Sequence, residues 1–159
     1  MKYRVLAVFL LLMSTLVGCG SNPVQDDLIT YINDSLPSLA EQELEAIELY
    51  ESVSGPNYID DETMYYTIFD EVIPKYGDFI DDLEKIEVKT DELNEIHELY
   101  IEAANLQNSA FLTIITALEE QDSEKINEAN GKLTDARKMI RDYQKKLSNL
   151  AEENGVEIE

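Results

Sequence analysis

The chain has 159 residues, 34 acidic against 12 basic, for a formal net charge of −22, with one cysteine and one histidine. That balance excludes nucleic acid as a partner, because phosphate backbones are held by basic patches that displace counterions. The lone cysteine excludes an internal disulfide, and the lone histidine, His97, restricts histidine-based metal and triad chemistry.

Lys2 and Arg4 precede Val5 to Val17, a run of thirteen residues that is apolar except for Ser14 and Thr15. A short basic region followed by such a run has the layout of a signal peptide. As a helix it reaches about 20 Å, short of the ~30 Å hydrocarbon core, so it is built to be cut rather than to span. The run ends in Leu16-Val17-Gly18-Cys19, with a small residue just before the only cysteine.

That stretch resembles the lipobox of bacterial lipoproteins. The resemblance implies that residues 1–18 are a signal peptide and that cleavage after Gly18 leaves Cys19 as the new N-terminus. In that family the thiol carries a diacylglyceryl group and the amine is acylated as well, palmitate-type chains that hold a protein stably at a bilayer. The implied location is the extracytoplasmic face of the cell membrane, with the membrane reached through lipid on Cys19. Losing Lys2 and Arg4 takes the formal net charge from −22 to −24, which opposes docking on anionic lipid and leaves the acyl chains as the anchor. Residues 19–23 form the lipidated cysteine and a brief polar tether, and residues 24–159 make up the length of one domain.

From Val24 to Ser54 apolar residues recur with helical spacing at Ile29, Ile32, Leu36, Leu39, Ala46, Ile47, Tyr50 and Val53. Pro37 interrupts them, and predicts a kink or a fresh start capped by Ser35. Gly55-Pro56-Asn57 is a turn signal. The second predicted helix covers about Asp61 to Ile86. Tyr65, Val72, Phe79 and Ile86 form one heptad row, and Phe69, Tyr76 and Leu83 form its companion. Asp60, Asp61 and Glu62 suit the positive end of that helix, and Pro74 with Gly77 predicts a mid-helix kink.

Thr90 is the predicted N-cap of a third helix lasting to about Gln121. Its inward face comprises Leu93, Ile96, Tyr100, Ala103, Gln107, Ala110, Ile114, Ala117 and Leu118. The fourth helix starts after Asp122 or Ser123. Ile126, Leu133, Ile140 and Leu147 make one heptad row, and Ala129, Ala136, Tyr143 and Leu150 the other. Gly155 is the predicted stop, with residues 156–159 a frayed tail. Four helices joined by tight turns, without strand alternation, predict an all-α antiparallel up-down four-helix bundle over 24–155.

Matching residues by height in such a bundle puts Glu43, Gln107 and Arg137 at one level, each on or beside an apolar row. They form a candidate buried polar layer, in which a buried Glu43 needs Arg137 or a similar partner, since an unpaired buried charge is costly. Tyr76, Tyr100 and Tyr143 fall just beneath, and Pro37 and Pro74 lie at the junction. Two kinked helices, small alanines, these three tyrosines and the polar layer predict a mid-bundle pocket. The same residues also serve a plainer purpose, with the layer setting helix register and the tyrosines filling core while their hydroxyls reach the surface.

Catalytic and cofactor chemistry find no foothold in the pattern. Asn94 stands where a Glu-x-x-His iron motif needs glutamate, and Cys19 is committed to lipid. No phosphate loop, dinucleotide fingerprint or EF-hand spacing occurs. His97 reads as a helix-face residue near the membrane end. The acidic clusters offer only weak, nonspecific divalent-cation binding. No metal, no cofactor and no catalytic residue is assigned. The expected function is a non-enzymatic interaction or binding module with a protein partner. The alternative is a small-ligand sensor or carrier that uses the mid-bundle pocket. An enzyme using Glu43 with a second acid ranks behind both, because no carboxylate pair stands at a defined separation.

Overall fold

Pro37 and Pro74 each leave a helix without one N–H and press their rings toward the carbonyl four residues earlier. A computed structural model of the chain describes residues 22–158, and it resolves both conflicts in the same way. A five-residue π-helical turn begins six residues before each proline, at Tyr31–Ser35 and at Ile68–Val72. The N–H of Leu36 reaches the carbonyl of Tyr31, and that of Ile73 reaches Ile68, so the turn takes in one extra residue just before the ring.

Around these turns the chain forms an all-α antiparallel four-helix bundle, with no strand among the described residues. We call α1 the continuous helical segment 23–52, α2 the segment 61–83, α3 Asp91–Glu120 and α4 Ser123–Glu153. A single 3-10 turn, Gly55–Asn57, joins α1 to α2, and Gly55 there adopts a left-handed φ of 56°. No described helix is long and apolar enough to cross a membrane. The expected signal peptide, the expected lipidation site Cys19 and the start of the expected tether lie outside the described residues.

The π turns rotate the N-terminal part of each helix by one residue, roughly 100°. Ile29 and Phe69, both expected inside, are 43% and 51% exposed, while their neighbours Leu28 and Ile68 are fully buried. Tyr31 likewise takes the place expected of Ile32. Heptad counting carried straight through the prolines misplaces these positions because the extra residue breaks the phase. Beyond the prolines the predicted rows hold at Leu39, Ala46, Tyr76, Phe79 and Leu83, and in α4 Ala129, Leu133, Ala136, Tyr143 and Leu147 are buried while Ile126, Ile140 and Leu150 are half-buried.

The caps differ from expectation at two places. Ser35 makes no capping bond, because the chain runs through it without a break. Thr90 caps nothing with its side chain. Instead its hydroxyl and N–H, together with the N–H of Lys89, donate to one oxygen of buried Asp27 at 2.8, 2.9 and 2.9 Å. Asp27 thereby fastens the connection between α2 and α3 to α1. Asp60 and Asp122 do cap α2 and α4, accepting from backbone N–H groups one turn on.

The two ends of the described segment meet at one base. Asn22 caps α1 and its amide also donates to Asn154, while Gln25 donates to the Asn154 carbonyl. Val156 belongs to this base rather than to a frayed tail, for its N–H bonds the Ala151 carbonyl at 2.8 Å and its side chain packs on the core. α3 and α4 share the most extensive contact among the described residues, whereas the Leu36–Ser52 part of α1 packs on α2 and forms no comparable contact with α4. The seam between α1 and α4 is closed at the base and where the Tyr31 and Tyr143 hydroxyls meet, and opens above them.

Candidate functional site

Heptad spacing places Glu43 between Leu36 and Tyr50 on α1, half-buried at the edge of the open seam. Its partner is Tyr100 of α3, whose hydroxyl donates to Glu43 Oε2 at 2.6 Å. Arg137 is not that partner. It lies exposed on α4 and makes no ion pair within 4.0 Å among the described residues. The expected charge pair fails because the α1–α4 gap holds the two apart, and a tyrosine hydroxyl from a third helix is close enough to serve instead. Burial raises the Glu43 carboxyl above its ordinary value of 4.5, an effect only partly offset by the Tyr100 bond.

From Tyr100 a chain of buried polar groups descends toward the base. The Tyr100 ring stacks on Tyr143 with centroids 4.4 Å apart. The Tyr143 hydroxyl lies 3.2 Å from that of Tyr31, which in turn lies 3.1 Å from His97 Nδ1. Burial pushes Tyr31 up to about 12 and raises Tyr100 and Tyr143 as well, so all three hydroxyls remain protonated near neutrality. A neutral imidazole that accepts at Nδ1 completes one consistent order of donation, from Tyr143 to Tyr31 to His97. The three tyrosines grouped from the sequence do adjoin one another through Phe79, which contacts both Tyr76 and Tyr100. Their hydroxyls do not reach the surface, and that of Tyr76 has no partner among the described residues.

His97 is 3% exposed, not a surface residue of the membrane end. A third heptad row, His97, Ala104, Phe111 and Leu118, carries the signal. α3 touches both α1 and α2 as well as α4, so it buries three rows where an ordinary bundle helix buries two. Burial pushes the His97 pKa below its ordinary 6.5, against smaller upward pulls from Glu98 and the Leu83 carbonyl. The unfolded chain therefore takes up a proton first as pH falls, and stability present above pH 6.5 is lost below it. Glu43 has the opposite sign, since its raised pKa favours the folded state in acid. Melting curves between about pH 7.5 and 5.5 should separate the two, with His97→Gln removing a destabilisation on acidification that the wild type shows. Equal pH slopes in both proteins would contradict the assignment.

Above the tyrosines a cavity of about 200 Å³ opens into the α1–α4 seam, lined by Glu43, Ile47, Tyr50, Glu51, Gln107, Phe111, Leu133, Arg137 and Ile140. The structure thus brings Glu43, Gln107 and Arg137 around one space without direct contact between the charges. Gln107 is 6% exposed. A second hollow of about 450 Å³ shares Tyr50, Glu51, Leu133 and Arg137 and extends the groove to the Gly55–Asn57 turn. His97 lies beneath this space, bonded to Tyr31, and does not line it. Among the described residues no group of three or more histidine, cysteine, aspartate or glutamate side chains is placed to hold a metal ion. No protein-family model matches the chain, and no curated protein or solved structure is found similar to it.

Proposed function

We propose that this protein is a lipid-anchored extracytoplasmic lipoprotein that acts as a non-enzymatic binding module, its base held at the cell membrane and its groove facing away from it. The open α1–α4 seam carries the reading. Asn22 and Asn154 close it at the base, and higher up an apolar-floored groove with polar rims runs between the two helices. Only Gly20 and Ser21 separate Cys19 from the cap of α1, so an acylated Cys19 holds the base within about 10 Å of the lipid. Tyr58, Ile59, Tyr66 and Phe69 add exposed apolar surface on the distal turn and the upper half of α2, suited to a protein partner. The anchor is tested by Cys19→Ala, which should move the protein from the membrane fraction to the soluble extracytoplasmic one. Continued pelleting with membranes in high salt would contradict it.

A second reading, a small-ligand sensor or carrier, is favoured by the cavity itself. It presents a buried amide, two carboxylates and a guanidinium around aromatic and aliphatic walls, the composition of a small-molecule site.

A further inference from the structure

We propose that the cavity between α1 and α4 binds a small zwitterion with an apolar body, of the size and chemistry of a free aromatic or branched aliphatic amino acid. This rests on the small-ligand reading of the same cavity.

Three polar side chains around the space keep hydrogen-bonding capacity that no protein group uses among the described residues. Gln107 is more than nine-tenths buried and lines the cavity, yet its amide makes no side-chain hydrogen bond among the described residues. Its amide is not among the sealed, partnerless polar atoms, so the cavity is where it meets water or a bound group. Glu43 uses Oε2 for Tyr100 and leaves its second oxygen without a partner. Arg137, across the seam, has no carboxylate within 4.0 Å. Opposite charges that line one cavity at more than ion-pair distance are satisfied together by a molecule with an ammonium at one end and a carboxylate at the other. Arg137 takes the carboxylate, Glu43 takes the ammonium with Glu51 as a second carboxylate on the same lining, and Gln107 can serve either group.

Between those rims the walls are Tyr50, Phe111, Leu133 and Ile140, which accept an apolar body and reject a purely polar zwitterion. At about 200 Å³ the cavity itself matches a body of roughly amino-acid size, below the ~300–1,000 Å³ of drug-sized pockets, and the adjoining hollow of about 450 Å³ lies outside the proposed site.

The test uses the full chain reconstituted in lipid nanodiscs, with calorimetry and melting temperature as readouts. The probes are L-phenylalanine and L-leucine, with 3-phenylpropionate and 2-phenylethylamine as analogues that keep one charge each. The amino acids should bind saturably and raise the melting temperature. Each analogue should bind at least about tenfold more weakly than phenylalanine, the loss expected for one charge-assisted hydrogen bond. Arg137→Met should abolish the advantage of phenylalanine over 2-phenylethylamine while keeping its advantage over 3-phenylpropionate. Glu43→Gln should do the reverse. Arg137 is exposed and Glu43→Gln is isosteric, and the ligand-free melting temperature of each variant checks the fold.

Amino acids that bind no tighter than the analogues, or affinity ratios unmoved by either variant, would overturn the zwitterion assignment and leave a small-ligand cavity of other specificity. Absence of saturable binding by all four compounds would overturn the assignment together with the small-ligand reading beneath it.

Discussion

Phe111→Ala is expected to destabilise the bundle by about 3–5 kcal/mol, the range for truncating a fully enclosed phenylalanine. Phe111 has no exposed surface, and its ring meets Tyr50 at 5.0 Å and Tyr76 at 5.3 Å between centroids. It joins α3 to α1 and α2 at the level where α1 gains little from α4, so no fourth wall stands ready to collapse into the space. It is also part of the cavity lining, and its loss should enlarge that cavity rather than create an isolated void. Urea unfolding measures the first effect, and a melting temperature lower by about 10 °C or more should accompany it. The neighbouring Leu112→Ala is the control. Leu112 is 50% exposed, and its truncation should stay within about 0.5 kcal/mol. Similar losses at both positions would show that the interior is not packed as described.

Asp27→Ala should cost about 2–4 kcal/mol, because one buried carboxylate oxygen accepts all three donors that fix the α2–α3 connection. Removing it leaves the N–H groups of Lys89 and Thr90 without a protein acceptor. Both amides should then exchange with solvent much faster, while those in the middle of α3 change only with global stability. Asp27→Asn, which keeps an acceptor oxygen but loses the charge, should fall between wild type and alanine. Unchanged exchange at Lys89 and Thr90 in the alanine variant would show that the loop is held by other contacts.

These two residues mark the limits of sequence reading for this chain. Phe111 belongs to a heptad row with His97, Ala104 and Leu118 that is present in the sequence. Periodicity does not single that row out, because two apolar rows per helix suffice for an ordinary bundle, and only the packing of α3 against three neighbours brings in a third. Asp27 gives no local signal at all. Its partners lie 62 and 63 residues away, and an aspartate in the first turns of a helix looks like one more favourable charge near the N-terminus. The candidate site divides in the same manner. Heptad counting and helix height put Glu43, Gln107 and Arg137 at one level, and one cavity joins them. Whether the two charges touch depends on the width of the α1–α4 seam, which no periodicity encodes.

The amino-acid sequence by itself determined the class of fold, the four helices, the rows beyond each proline and the turn at Gly55–Asn57. Those features follow from side-chain spacing and local backbone chemistry, which act within about one or two helical turns. It also carries the lipobox resemblance, a local pattern of four residues. The tertiary structure decided the one-residue phase change at each π turn and the burial of Tyr31 and His97. It also decided the transfer of Glu43 from Arg137 to Tyr100, and the seam that opens above the Tyr31 and Tyr143 hydroxyls. All of these depend on how far apart separate helices settle. That distance comes from the volumes of side chains meeting across the core, a sum over residues remote in sequence that no single stretch contains.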